Sequence, residues 1–153
     1  MYPGRSSPAM SSLRLVVDAS VVVKWVLNEP DRPAALELLR QYQDLRVSLL
    51  APHLLLYETG SVLWKHARRG TLRHAQATEA FDHLLRNAPE LIDSPAIATS
   101  GVHLALAHRA TVYDCLYLAL ALDQQCDLVT ADRKFFLAVR RAYPSVRLLS
   151  QRA

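Results

Sequence analysis

Residues Leu13–Ser20 read LRLVVDAS, and three consecutive valines follow directly. The run over 13–17 predicts a short buried strand, because branched apolar side chains pack well on a pleated surface. Asp18 stands where that strand ends, in a segment that is otherwise apolar on both sides. A carboxylate in this setting needs a partner, since burying an unpaired charge is costly. Asp18 is therefore a helix N-cap or a functional acid, and the two roles are compatible.

Short apolar runs alternate with helical patterns along the rest of the chain. Continuously apolar strands are typical of a parallel sheet that is covered by helices on both faces. The pattern therefore predicts an α/β fold, an α/β/α sandwich with a short, mostly parallel central sheet. The predicted strands cover residues 13–17, 47–50, 91–92, 128–130 and 146–149, and the predicted helices cover 31–43 (with Asp31 as its cap), 52–69, 71–87, 95–109, 112–124 and 133–142.

Asp132 follows the predicted strand 128–130 in the same way that Asp18 follows the first strand. In open parallel sheets, ligands bind outside the carboxyl ends of the strands, at the point where strand order reverses. If these two strands are neighbours at that point, the two carboxylates meet in one crevice. The hydroxyls of Ser20 and Thr130 belong to the same crevice and are expected to orient a carboxylate or a water.

Two further acids lie on apolar helices. Glu58 is on or beside the buried stripe of its helix, where a boundary glutamate that extends to water is the alternative. Asp114 is in the first turn of a helix that is apolar nearly all round, where the helix dipole favours a negative charge by about 0.3–1 kcal/mol. The dipole alone is a weak reason to bury a carboxylate. We therefore expect both acids to join Asp18 and Asp132.

Four carboxylates packed together repel one another, and one or more of their pKa values must rise. A divalent cation removes this penalty. Mg²⁺ takes oxygen ligands, keeps several waters and combines a few carboxylates with substrate phosphate. A bound metal lowers the pKa of its water and stabilises charge on a phosphoryl oxygen, which suits phosphodiester hydrolysis.

Four segments, in this order and spacing, resemble the PIN-domain family and, within it, the VapC-type toxins of bacterial toxin–antitoxin pairs. The segments are 15–20 (LVVDAS), 57–58 (YE), 112–121 (VYDCLYLALA) and 128–132 (LVTAD). The resemblance implies that Asp18, Glu58, Asp114 and Asp132 bind Mg²⁺ or Mn²⁺ and activate water for endonucleolytic RNA cleavage. It further implies a homodimer, a cognate antitoxin whose tail fills the active-site groove, and structured targets such as transfer RNA. Family members often carry Asn one helical turn after the second acid, where this chain has Ser61.

The composition sets the remaining expectations. The length of 153 residues predicts a single domain over 13–150, which the resemblance implies is a PIN-like nuclease. It is preceded by a predicted disordered tail over 1–12 that lacks the apolar core of a secretory signal. No apolar run is long enough for a membrane span. Cys115 and Cys126 fit neither a metal knuckle nor a CxxC motif, so we expect inert thiols in a reducing, cytoplasmic environment.

Other functional classes find less support. Four glycines fit neither a phosphate-binding loop nor a dinucleotide fingerprint, and no histidine spacing predicts a zinc site. The net charge of +4 permits a polyanionic partner, and Arg133 and Lys134 are expected to contact RNA phosphates, with a solvated helix face as the alternative. Three hypotheses therefore remain. They are an RNA-cleaving toxin, a PIN nuclease outside toxin–antitoxin systems that acts in RNA processing or on DNA, and a catalytically inactive RNA-binding or scaffold domain.

Overall fold

Five short strands form the central sheet in the computed structural model, which describes residues 12–152. All five strands run parallel. Leu15, Val16 and Val17 are consecutive and all buried, and because neighbouring strand residues face opposite sides, both faces of the sheet are covered. The strands are β1 (Leu13–Val17), β2 (Val47–Ala51), β3 (Glu90–Leu91), β4 (Asp127–Thr130) and β5 (Val146–Leu148).

Within residues 12–152, seven helices connect and cover the strands, and the predicted α/β/α sandwich is confirmed. The same part of the chain contains two short 3₁₀ turns, one at Val23–Trp25 and one at Leu149–Gln151. The helices are α1 (Ala19–Val22), α2 (Arg32–Gln43), α3 (Leu54–Arg68), α4 (His74–Arg86), α5 (Pro95–His108), α6 (Val112–Asp123) and α7 (Arg133–Val139).

The strand order β3-β2-β1-β4-β5 places the reversal point between β1 and β4. These two strands are hydrogen-bonded neighbours, with Val17 opposite Val129. The chain therefore builds one half of the sheet outward from β1 and the other half outward from β4. The expectation that Asp18 and Asp132 follow adjacent strands at the reversal point is confirmed.

Several element boundaries differ from the predicted ones. Asp31 occupies the N-cap position of α2, but its φ is 64° and its side chain makes no capping hydrogen bond, so the predicted side-chain cap is wrong. The helix predicted to start at Thr71 starts at His74, because the backbone N–H groups of Thr71 and Leu72 bond to the His66 carbonyl and close the preceding helix. The helix predicted to reach Ala142 ends at Val139.

The predicted tail over 1–12 falls almost entirely outside the described residues. Ser12 is described, and its hydroxyl lies 2.6 Å from the Ser48 hydroxyl beside the start of the sheet. Within residues 12–152, no helix has the length and apolar character needed to cross a membrane.

Candidate active site

Asp18 lies at the carboxyl end of β1, and its side chain is almost completely buried, with an exposed fraction of 5%. Its Oδ1 accepts a hydrogen bond of 2.5 Å from the Ser20 hydroxyl, and its Oδ2 accepts one of 2.5 Å from the Thr130 hydroxyl. The backbone N–H of Val21 also points to Oδ1 at 3.4 Å, which makes Asp18 the N-cap of α1. Asp18 thus caps a helix and lies in the crevice at the same time.

Backbone N–H groups fix the direction of these two hydroxyl bonds. The N–H of Ala131 donates to the Ser20 hydroxyl at 2.8 Å, and the N–H of Asp132 donates to the Thr130 hydroxyl at 3.1 Å. An N–H group can only donate, so each hydroxyl accepts there and turns its own proton toward Asp18. This network joins the end of β1 to the end of β4 and aligns the Asp18 carboxylate.

Glu58 lies on α3, and its Oε1 accepts a hydrogen bond of 2.7 Å from the Tyr117 hydroxyl. Tyr117 is buried on α6, one helical turn after Asp114. The sequence interpretation missed this residue. The available signal was a tyrosine three positions after an acid on an apolar helix, because a buried phenol needs a hydrogen-bond partner.

Asp114 and Asp132 both lie at helix N-termini. Asp114 is in the first turn of α6, where its backbone N–H donates to the side chain of the N-cap residue Thr111 at 3.1 Å. Asp132 is the N-cap of α7 and accepts a hydrogen bond of 3.0 Å from the Phe135 N–H. Both carboxylates are partly buried, and the positive end of each helix dipole favours their charge.

Burial and neighbouring charge raise the pKa values of three of the carboxylates. Burial raises the pKa of Asp18 to about 7, while the Ser20 and Thr130 hydrogen bonds lower it and the Asp114 charge raises it. Ordinary carboxyl groups titrate near pH 4, so Asp18 favours its protonated form far more than an exposed carboxyl does.

The pKa values of Glu58 and Asp114 are also raised. Burial raises the pKa of Glu58, the bond from Tyr117 lowers it, and the charge of Asp114 raises it. Burial also raises the pKa of Asp114, its hydrogen bond with the N-cap residue lowers it, and the charge of Asp132 raises it. Asp114 therefore couples to each of the other three acids. We call these four electrostatically interacting residues, Asp18, Glu58, Asp114 and Asp132, the acid cluster.

The comparison with protein families decides the family. The model of the PIN domain matches residues 15–141, a span that includes all four acids. This chain belongs to the PIN-domain family.

Curated relatives place this PIN domain with VapC-type proteins. It is 36% identical over 124 residues to Ribonuclease VapC3 of Pyrobaculum aerophilum. The aligned region covers 80% of this chain and 92% of the relative. It is 32% identical over 104 residues to Exonuclease VapC9 of the same organism. That alignment covers 68% of this chain and 77% of the relative.

Solved structures agree with the family assignment. PAE2754 of Pyrobaculum aerophilum aligns with a TM-score of 0.68 and 25% identity, covering 91% of this chain and 92% of that chain. A chain of a toxin–antitoxin complex from Klebsiella pneumoniae aligns with a TM-score of 0.59 and 17% identity, covering 88% of this chain and 97% of that chain. The second similarity shows the shared fold alone.

The PIN domain offers only oxygen donors at this site, which suits a hard divalent ion. Within residues 12–152, no three His, Cys, Asp or Glu side chains are arranged to enclose a metal ion. The carboxylates are instead held by hydroxyl, phenol and backbone donors. Mg²⁺ needs no such enclosure, because it is usually bound by one or two carboxylates together with waters and substrate phosphate. The donor set and the raised pKa values therefore fit a divalent cation.

A groove of about 430 Å³ in the PIN domain includes one of the four acids, Glu58, in its wall, together with Ser20 and Ser61. Ser61 is exposed there, one helical turn after Glu58. Arg133 and Lys134 are exposed in the first turn of α7, directly after Asp132. The predicted supporting and RNA-contacting residues thus all lie at the carboxyl edge of the sheet.

Proposed function

We propose that this PIN domain is a metal-dependent endoribonuclease that hydrolyses RNA phosphodiesters at the four-acid cluster. The observation that carries the proposal is Asp18, a carboxylate buried at the strand-order reversal and coupled to Asp114. Burying and crowding carboxylates lowers stability unless a cation neutralises them, so the arrangement favours a catalytic role over a purely structural one. Its relatives Ribonuclease VapC3 and Exonuclease VapC9 support a nuclease hydrolase.

Asp18, Glu58, Asp114 and Asp132 are the residues that we assign to the metal, Mg²⁺ or Mn²⁺. PIN nucleases generally use divalent metal ions, and the oxygen-only donor set supports these two. When bound, such an ion lowers the pKa of its water and stabilises negative charge on a phosphoryl oxygen.

The chain's own residues position the acids. The hydroxyls of Ser20 and Thr130 hold both oxygens of the Asp18 carboxylate, and Tyr117 holds one oxygen of Glu58. Because these partners are themselves buried or bonded to backbone, the acids are aligned before substrate arrives. We assign Ser61 a supporting role in the groove beside Glu58.

We propose that Arg133 and Lys134 bind the phosphates of an RNA strand where that strand passes Asp132. Replacing both with Ala is expected to reduce the slope of log affinity against log salt by about 1.4, because each phosphate contact to single-stranded nucleic acid contributes roughly 0.7. RNA-binding titrations over a range of salt concentrations measure the slope. The distant pair Arg140→Ala/Arg141→Ala is the matched control, and a slope that the Arg133/Lys134 variant leaves unchanged contradicts the assignment.

We also propose that the protein is a cytoplasmic homodimeric toxin that is silenced by a cognate antitoxin, with transfer RNA among its targets. Its VapC relatives and its shared fold with a chain of the Klebsiella pneumoniae toxin–antitoxin complex support the toxin assignment. The free thiols Cys115 and Cys126 agree with a reducing compartment. Exposed apolar side chains on α5, among them Val102 and Leu106, provide a surface suited to association.

The deciding experiment is incubation of purified protein with a transfer RNA pool and with a circular RNA, in Mg²⁺ or Mn²⁺ and in EDTA. A metal-dependent endonuclease at this site is supported if the protein cleaves the circular RNA, and if this cleavage is abolished both by EDTA and by Asp114→Asn. The control variant is Asp127→Asn, which alters an acid at the opposite end of β4 that pairs with Arg147.

The other outcomes separate the remaining hypotheses. Loss of linear RNA without loss of the circle indicates an exonuclease. Cleavage of precursor RNAs rather than mature transfer RNA favours a nuclease of RNA processing. If the metal-loaded protein binds RNA but does not cleave it, the result favours an inactive binding domain and contradicts the carboxylate mechanism.

A further inference from the structure

Two exposed tyrosines line the groove beside the acid cluster. Tyr57 directly precedes Glu58 on α3, and Tyr113 directly precedes Asp114 on α6. Their exposed fractions are 72% and 61%. Both tyrosines are therefore open to solvent, and they come from different helices that line one groove together with Glu58.

The other described tyrosines have structural partners. The Tyr42 hydroxyl donates to the Ala88 carbonyl, the Tyr117 hydroxyl donates to Glu58, and the Tyr143 ring packs edge-on against His108. Packing within the fold accounts for these three rings. It does not account for Tyr57 and Tyr113, whose rings share one groove wall with Glu58.

A nucleic acid strand that passes this groove meets aromatic rings and a cation. Lys65 lines the same groove and is exposed, so its ammonium group can meet a phosphate. Proteins that bind unpaired RNA stack splayed bases on aromatic side chains while basic groups follow the backbone. A base inside a duplex is already stacked on both faces and cannot use such rings.

We propose that Tyr57 and Tyr113 are base-stacking platforms for the nucleotides that adjoin the phosphodiester at the acid cluster. The inference rests on the proposed ribonuclease function and names further substrate-binding residues of that same site. Lys65 supplies a phosphate contact at the α3 side of the groove.

The test measures binding of a short RNA that carries the fluorescent base 2-aminopurine, both as a single strand and annealed to its complement. Cleavage is disabled with an Asp114→Asn background in Mg²⁺. Tyr57→Ala and Tyr113→Ala are each expected to weaken single-strand binding by roughly 5- to 150-fold and to relieve the quenching of the stacked base. Binding of the duplex is expected to change little, and the Tyr→Phe variants are expected to retain most of the affinity.

Trp64→Ala is the matched control, because Trp64 is an exposed aromatic residue on the same helix that lines a different groove, between α3 and α4. The inference is overturned if the alanine variants bind the single strand as tightly as the parent does. A groove that binds a protein partner instead of RNA would give this same result. It is also overturned if single strand and duplex lose affinity equally. Cleavage by the parent enzyme is scored separately, so failure of this inference and failure of the ribonuclease proposal are distinguishable.

Discussion

The Asp114→Asn variant is expected to lose RNA cleavage while its metal-free form remains as stable as the parent or becomes more stable. Asp114 couples to Asp18, Glu58 and Asp132, so its charge is central to any cation bound by the cluster. We expect cleavage to fall by more than about 100-fold, since even the outer partners of metal ligands typically change metal affinity or activity 10- to 100-fold.

The stability half of this prediction follows from the raised pKa of Asp114, which indicates that its charged form is disfavoured in the folded chain. A neutral amide of nearly equal size removes repulsion among the acids, and we expect a gain of about 0–2 kcal/mol in the free energy of unfolding. Thermal and urea unfolding in EDTA measure it, with Asp127→Asn as the control. If Asp114→Asn unfolds instead, Asp114 is a structural residue of α6 and the proposed site is wrong.

The metal-free protein is also expected to lose stability as the pH rises from about 4 to 7. The pKa of Asp18 is raised from 3.8 to about 7, so within this window the folded protein holds a proton that the unfolded chain has released. Stability is therefore full below the unfolded pKa and declines as the pH rises through the folded pKa. Each pKa unit corresponds to 1.36 kcal/mol, which gives a loss on the order of 4 kcal/mol.

Urea unfolding in EDTA at several pH values tests this expectation, with Asp18→Asn as the reference. The difference in unfolding free energy between parent and variant isolates Asp18 from Glu58 and Asp114, whose raised pKa values act in the same direction. Adding Mg²⁺ at pH 7.5 is expected to restore stability to the parent, because a ligand that binds only the folded state stabilises it. A parent–variant difference that does not change with pH contradicts the assigned environment of Asp18.

Much of the fold was predictable from the sequence because apolar periodicity reports burial directly. All five strands occur where continuous apolar runs predicted them, and strand order placed β1 beside β4 as the two strand-ending acids suggested. The extent of the helix and 3₁₀ turn over 19–25 was not predicted, although helix N-cap was one of the two roles given to Asp18, because a run of valines is typical of a strand. Asp18 overrides that preference by capping the first turn.

The site was predictable only in part, since sequence spacing reveals which acids sit at strand ends and helix starts but not which groups hold them. The Ser20 and Thr130 contacts depend on the pairing of β1 with β4, which is a tertiary property. Tyr117 and the exposure of Tyr57 and Tyr113 depend on how α3 and α6 face each other. The roles of the acids in metal binding and RNA cleavage stay predictions that the experiments above address.

The hydrogen bond from Thr130 to Asp18 joins residues that are 112 positions apart, which has a consequence during protein synthesis. A ribosome adds about 5–20 residues per second. Roughly 6–22 s therefore separate the addition of Asp18 from that of the residue that aligns it. Throughout that interval the nascent chain lacks the end of β4 and Asp132. If the protein is the proposed ribonuclease, the growing chain has no assembled site while most of it is being translated. We therefore expect it not to cleave the RNAs of its own ribosome during that time.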